Sequence, residues 1–313
     1  MPNITTDRDG RVMTVRIDNP PHNFMNRHMV AELDDLTRGL EGDRSIGAVV
    51  ITGGVEGRFI THYDVAEILA GTEAVGMQVS SGAAGATLQA VRGLSRLPGG
   101  EAAVQRTPAA GLLGLHGLHD LLNRIGRMDK VFIVAINGPA LGGGCELSLA
   151  CDLRYIADDG GPIGLPEMTL GFNPGAGGTQ RLAHLIGPGR ALEMILEARV
   201  LEPAEALEVG LVNRVVPGGK LVQEATATAE RLARRAPISV AATKNAVREG
   251  SARPLTQGLA VERKWFLACG SRPASHRAMR TYVEQVEGEG APWTDPEGLA
   301  PWREGTVVDL TSE

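Results

Sequence analysis

The stretch Ala135–Arg181, AINGPALGGGCELSLACDLRYIADDGGPIGLPEMTLGFNPGAGGTQR, decides how this chain is read. It carries two glutamates, Glu146 and Glu167, each beside glycine-rich backbone that a ligand can approach closely. Just before and into it, residues 131–136, VFIVAI, form a short continuous apolar run of the kind found in a buried strand, and Asn137-Gly138-Pro139 forces a turn. Leu141-Gly142-Gly143-Gly144 then opens a segment, Cys145 to Ala150, that reads as a helix. A strand, a glycine turn and a helix start bring free backbone N–H groups and the positive end of a helix dipole to one spot. Developing negative charge is stabilised there. The pattern is one for an oxyanion rather than a dinucleotide: Leu147 stands where the last glycine of G-x-G-x-x-G would be, and no G-x-x-x-x-G-K-[ST] occurs.

Working outward, Val12–Ile17 alternates as a strand, and Val30, Leu33, Leu36 and Leu40 form one apolar stripe on a helix. Ala48–Thr52 is the next buried strand, and Val131–Ile136 and Leu153–Ala157 continue the series in an α/β chain. Beyond Glu202 the pattern turns mostly helical, over Pro203–Val209, Leu221–Arg235, Ile238–Glu249, Leu255–Cys269 and Ala274–Val286, with a short strand at Val212–Val216. The expected organisation is a core over 1–200, a helical region over 201–286 and an extended tail over 287–313, rich in Gly, Pro and acid. An Ala- and Gly-rich insertion at about 70–114 interrupts the core, and it reads as a cover over the site rather than a third domain.

Composition narrows the class. The 313 residues can bury a substantial core, and a net charge of -6 argues against a general nucleic-acid binder. No apolar run approaches the roughly 20 residues that span a bilayer, and MPNITTDRDG lacks the basic and apolar regions of a signal peptide. Cys145, Cys151 and Cys269 show no metal-ligand spacing and no disulfide framework, so a reduced cytoplasmic setting without a metal is expected. There is no G-x-S-x-G, hence no matched serine nucleophile.

The motifs A-I-N-G-x-A-L-G-G-G-C-E-L and P-E-x-x-L-G-x-x-P-G-A-G-G-T-Q-R-L resemble the enoyl-CoA hydratase/isomerase, or crotonase, superfamily, with weaker resemblance from Val12 to about Met279. The resemblance implies a crotonase-type spiral of β-β-α repeats with a C-terminal helical oligomerisation region, forming a homotrimer or a dimer of trimers. It implies that Gly143 and, in the loop Phe59-Ile60-Thr61-His62-Tyr63-Asp64, Tyr63 supply two backbone N–H groups to a thioester oxygen. It places Glu146 and Glu167 as the acid/base pair, and substrate contacts at His62, Asp64, Gly142, Phe172 and Gly175. The activity implied is hydration of a 2-enoyl-CoA in fatty acid metabolism, with coenzyme A as part of the substrate and no other cofactor. Rival readings are a double-bond isomerase or a β-dicarbonyl C–C hydrolase of the same fold, and a non-catalytic oligomeric scaffold.

Besides the insertion, two departures from the family pattern stand out. His62 replaces the glycine of F-x-x-G-x-D, and the basic positions that attract coenzyme A phosphates read Asp64-Val65-Ala66 and Tyr282-Val283-Glu284-Gln285. Arg58, His22 and Arg263 are the remaining candidates for phosphate contact.

Overall fold

In the computed structural model, the described residues are 3–74, 78–107, 109–288, 293–294 and 296–312. The chain opens with a hairpin of β1 (Ile4–Asp9) and β2 (Val12–Ile17), crosses through helix α1 (Arg27–Glu41) and returns as β3 (Ala48–Gly53). Asn26 starts α1 by accepting the Met29 N–H on its side chain at 2.8 Å, and Met29, Val30, Leu33 and Leu40 form the buried face. Helices α2 (Val65–Glu73), α3 (Ser81–Ser95), α4 (Gly100–Val104) and α5 (Ala110–Arg127) follow, then β4 (Val131–Ile136) and β5 (Ala140–Leu141). Next come α6 (Gly143–Ala150), β6 (Leu153–Ala157), β7 (Ile163–Gly164), α7 (Gly178–Ile186), α8 (Pro188–Leu196) and β8 (Val200–Leu201). Helix α9 (Pro203–Glu208) and β9 (Arg214–Val216) lead into α10 (Leu221–Leu232), α11 (Pro237–Ser251), α12 (Leu255–Gly270), α13 (Pro273–Gly288) and α14 (Pro296–Glu304).

The strands make two sheets. One has the order β1-β2-β3-β4-β6-β9 and is parallel except for the β1-β2 edge; the other is β5-β7-β8. All six residues of β4 are buried, because both faces of a parallel sheet are covered. Val131, Ile133 and Ala135 face α10 through Leu221, Ala225 and Ala229, whereas Phe132, Val134 and Ile136 face a larger core shared with α1, α5 and α6. Each large apolar side chain buried there contributes about 1.5–3 kcal/mol. The larger core also reaches β5, β7 and β8, so the chain between β4 and α7 is held from both sheets.

Two features that the sequence reading left unassigned, and one that it assigned differently, have physical causes. Strand β1, ITTDRD, is an exposed polar edge and carries no hydrophobic alternation. The insertion is largely helical, since its alanines are strong helix formers despite the interspersed glycines, and Ser80 caps α3 through the Ala83 N–H. The tail is not extended throughout. Helix α14 folds back, Trp302 Nε1 donates to Gln285 at 3.1 Å, and the rings of Tyr282, Trp293 and Trp302 meet at centroid distances of 4.5 to 5.9 Å. Arg235 and Arg234 donate to the Trp302 and Glu304 carbonyls at 2.9 and 3.0 Å, satisfying the end of α14. Packing of the tail's two tryptophans, Trp293 and Trp302, outweighs its Gly and Pro content. Among the described residues, no helix is long and apolar enough to cross a membrane.

Candidate active site

The site forms where β4 hands over to α6. Asn137 ties this turn to the end of β3, accepting the Gly53 N–H at 2.9 Å and donating to the Gly53 carbonyl at 3.2 Å. The three following glycines face three different neighbours. Gly142 has φ +48°, and a Cβ there would lie 3.2 Å from Glu167 Oε1. A Cβ on Gly143 would lie 3.4 Å from Tyr63 Cβ and 3.6 Å from the Tyr63 backbone nitrogen. Gly144 sits against the Ile60 carbonyl so closely that a Cβ would fall 2.0 Å from its oxygen.

This close approach seats the loop Phe59–Asp64 on the first turn of α6. Leu141 N–H donates to the Thr61 carbonyl at 3.0 Å, while Met25 brackets Tyr63 by donating to the His62 carbonyl at 2.8 Å and accepting from the Asp64 N–H at 2.7 Å. Asn23 donates to the Phe59 carbonyl from beneath. The Tyr63 side chain is held by Glu67 on α2 at 3.1 Å, and burial, with the Glu67 charge beside it, pushes its phenol up. Among the described residues, the N–H groups of Tyr63 and Gly143 donate to no protein acceptor. Two neighbouring unpaired donors, one of them the first residue of α6, can receive an oxygen that gains negative charge.

The two glutamates differ in setting. Glu146 is buried, and its Oε1 accepts the N–H groups of Ala176 at 2.7 Å and Gly178 at 2.8 Å, at the start of α7. Burial raises its pKa; the two N–H groups and the positive charge of Arg181 oppose that shift. Glu167 opens a 3-10 helix, Glu167–Leu170, behind Pro166. Its Oε2 is buried, with no hydrogen-bond partner among the described residues. Burial, reinforced by the charge of Glu146, lifts its carboxyl from 4.5 to about 7. Glu146 thus accepts two backbone donors that favour its charge, while Glu167, with no such donor on its buried oxygen, can retain a proton near neutral pH.

The remaining candidates divide. His62 is half-buried and stacks on Phe24 at 4.2 Å, which stacks on His22 at 5.1 Å, so His62 and His22 flank one ring beside the loop. Asp64 caps α2 by accepting the Ala66 N–H at 2.9 Å, a structural task in the same loop. Gly142 abuts Glu167, Gly175 lies on the exposed rim of the loop that holds Glu146, and Phe172 is half-buried nearby in sequence. Arg58 is half-buried; Arg263 is exposed on α12. Burial pushes the Cys145 thiol well up, which disfavours a thiolate beside Glu146. A cavity of about 700 Å³ lined by Arg92, Asp120, Arg127, Asn245 and Trp265, among others, contains neither glutamate.

Sequence reasoning missed the groups that bond the loop carrying the two Glu146 donors. Arg181 folds over Gly177 and donates to the Ala176 carbonyl at 2.8 Å and to Asn123 of α5 at 3.0 Å. His119, one turn before Asn123, lies 2.7 Å from the Gly175 carbonyl. The only hint was their i, i+4 spacing on one helix face.

The two-sheet α/β core with its helical C-terminal region is that of an enzyme of the crotonase fold. An enoyl-CoA hydratase from Bacillus anthracis superposes with a TM-score of 0.72 at 29% identity, covering 90% of this chain and 96% of that one. A short-chain-enoyl-CoA hydratase of Clostridium acetobutylicum is 32% identical over 289 residues, 92% of this chain and 97% of the relative. A crotonyl-CoA hydratase of Syntrophomonas wolfei is 30% identical over 284 residues, 90% of this chain and 95% of the relative. The family model for enoyl-CoA hydratase/isomerase matches residues 102–295. The chain belongs to the enoyl-CoA hydratase/isomerase family.

Proposed function

We propose that the protein is an enoyl-CoA hydratase, a lyase that adds water across the C2–C3 double bond of a 2-enoyl-CoA thioester. The observation that carries this reading is the unlike pair of glutamates beside two unpaired backbone donors. The thioester oxygen accepts the N–H groups of Tyr63 and Gly143. Glu146, as carboxylate, takes a proton from water whose oxygen bonds to C3, and the electron pair of the double bond moves into the thioester as an enolate. The charge rests on the oxygen between the two donors. Glu167, as carboxylic acid, gives its proton to C2, and proton exchange with solvent resets both groups. Removing one such donor typically costs about 10²–10³ in rate, and each acid/base group is worth about 10²–10⁴.

The chemistry needs no group beyond coenzyme A carried by the substrate. Retention of both glutamates supports hydration over isomerisation or C–C hydrolysis, and a scaffold has no use for an unpartnered buried carboxyl oxygen. The same reading includes a homotrimer or a pair of trimers. Its support is the apolar surface of α12, where Leu255, Phe266 and Leu267 are 77%, 79% and 72% exposed in the single chain.

The test is loss of the conjugated-enoyl absorbance of crotonyl-CoA and longer 2-enoyl-CoAs with the parent protein, Glu146→Gln and Glu167→Gln. Turnover in the parent and a loss of at least about 100-fold in each variant is expected. Near-parental turnover in either variant defeats the paired assignment.

A further inference from the structure

We propose that His119 is a positioning residue for Glu146, acting through the peptide group that joins Gly175 to Ala176. The proposal rests on the hydratase reading, in which Glu146 is the base. His119 lies on α5, which begins in the insertion. Its Nε2 is 2.7 Å from the Gly175 carbonyl oxygen, and a carbonyl can only accept, so Nε2 carries a proton in this contact. The same peptide unit presents its other end, the Ala176 N–H, to Glu146 Oε1 at 2.7 Å. A donor on the C=O of a planar peptide polarises the N–H across it, strengthening the second bond. His119 thus reaches the carboxylate without touching it.

The next peptide is held similarly. Arg181 donates to the Ala176 carbonyl at 2.8 Å and is tied to Asn123 at 3.0 Å, four residues beyond His119 on α5. One face of α5 therefore steadies the loop that offers two N–H groups to Glu146, and it does so at Gly175, the exposed residue between buried Pro174 and Ala176. The charged and titratable groups around Glu146 are His119 from α5, Arg181 from α7, Glu167 from the 3-10 helix and Cys145 from α6 itself. Of these, His119 and Arg181 favour the carboxylate and burial opposes it. Taking away His119 removes a favourable influence and moves the Glu146 titration to higher pH.

The experiment uses the full chain with crotonyl-CoA, comparing His119→Ala, His119→Met and His119→Gln, each alone, and His119→Ala in a Glu146→Gln background. Met keeps length without a donor and decides the matter if the alanine variant folds poorly; Gln restores an N–H donor. Ala or Met should lower kcat about tenfold with KM within about twofold, and shift the acid limb of kcat upward by at least about half a pH unit. Gln should recover most of kcat, and the alanine change should cost nothing further once Glu146 is Gln. The proposal is overturned by an unchanged kcat and acid limb in Ala and Met, by a Gln variant as impaired as Met, or by an effect confined to KM. If Glu146→Gln itself keeps parental turnover, the base assignment fails and this inference with it. If that variant is inert while His119 variants behave as the parent, only the inference fails.

Discussion

Glu167→Gln should trade activity for stability in a way that pH reveals. In the folded chain the Glu167 carboxyl titrates at about 7 instead of 4.5, chiefly because burial opposes its charge. Below pH 4.5 the carboxyl is protonated in folded and unfolded chains alike, and the site costs nothing. As pH rises toward 7 the unfolded chain releases the proton while the folded one keeps it, so stability falls; above 7 the full penalty is present. At about 1.4 kcal/mol per pH unit the shift corresponds to about 3 kcal/mol. Glu167 is only half-buried, and solvent screening brings the expected value nearer about 2 kcal/mol. Glutamine cannot ionise and escapes this term. Urea denaturation at one protein concentration from pH 4.5 to 8 should show the variant gaining about 2 kcal/mol on the parent across that range. Its turnover of a 2-enoyl-CoA should fall at least about 100-fold at every pH. A stability difference that stays constant with pH would refute the argument that burial raises this carboxyl, whatever the activity does.

Three other outcomes follow from named contacts. Gly144→Ala places a methyl 2.0 Å from the Ile60 carbonyl oxygen, where about 3.4 Å is needed, so loop and helix must part by more than about 1 Å. Turnover should fall about 100-fold and stability by about 2 kcal/mol, measured by steady-state kinetics and urea melts; parental values for both would exclude close seating of the loop. Lys244 is buried with its Nζ 2.8 Å from Asp152 and 3.0 and 2.7 Å from the Ile125 and Lys130 carbonyls, so Lys244→Met should cost about 3 kcal/mol in urea melts. The kcat of the folded variant should be unchanged, and a loss below about 1 kcal/mol would show that Arg248, 3.0 Å from Asp152, suffices. Replacing Phe266 and Leu267 together by Glu should lower the mass seen by light scattering at micromolar concentration, and an unchanged mass would remove α12 from the proposed subunit interface.

What the sequence disclosed, and what it withheld, follows the physics of each signal. Val131–Ile136 and Leu153–Ala157 have the bounds expected of them, because strands buried on both faces announce themselves as unbroken apolar runs. The helices expected over Leu221–Arg235 and Ala274–Val286 are present as Leu221–Leu232 and Pro273–Gly288, with ends shifted by one to three residues, since each carries a helical period whose ends the sequence does not mark sharply. The edge strand Ile4–Asp9 gave no such signal: its pairing is through backbone groups, which the side chains ITTDRD do not advertise. At the site, the glycines and glutamates stood out because a close backbone approach and a buried carboxyl restrict residue type. The roles of Ala176 and Gly178 were invisible, because they act through N–H groups that almost any residue carries. His119 was harder still, 27 residues before Glu146 and joined to it only through a peptide contributed by a third segment. A helix-surface histidine at that distance reads as a solvated side chain. Only the fold, by bringing α5 against the loop ahead of α7, turns it into a neighbour of the carboxylate that the resemblance had already singled out.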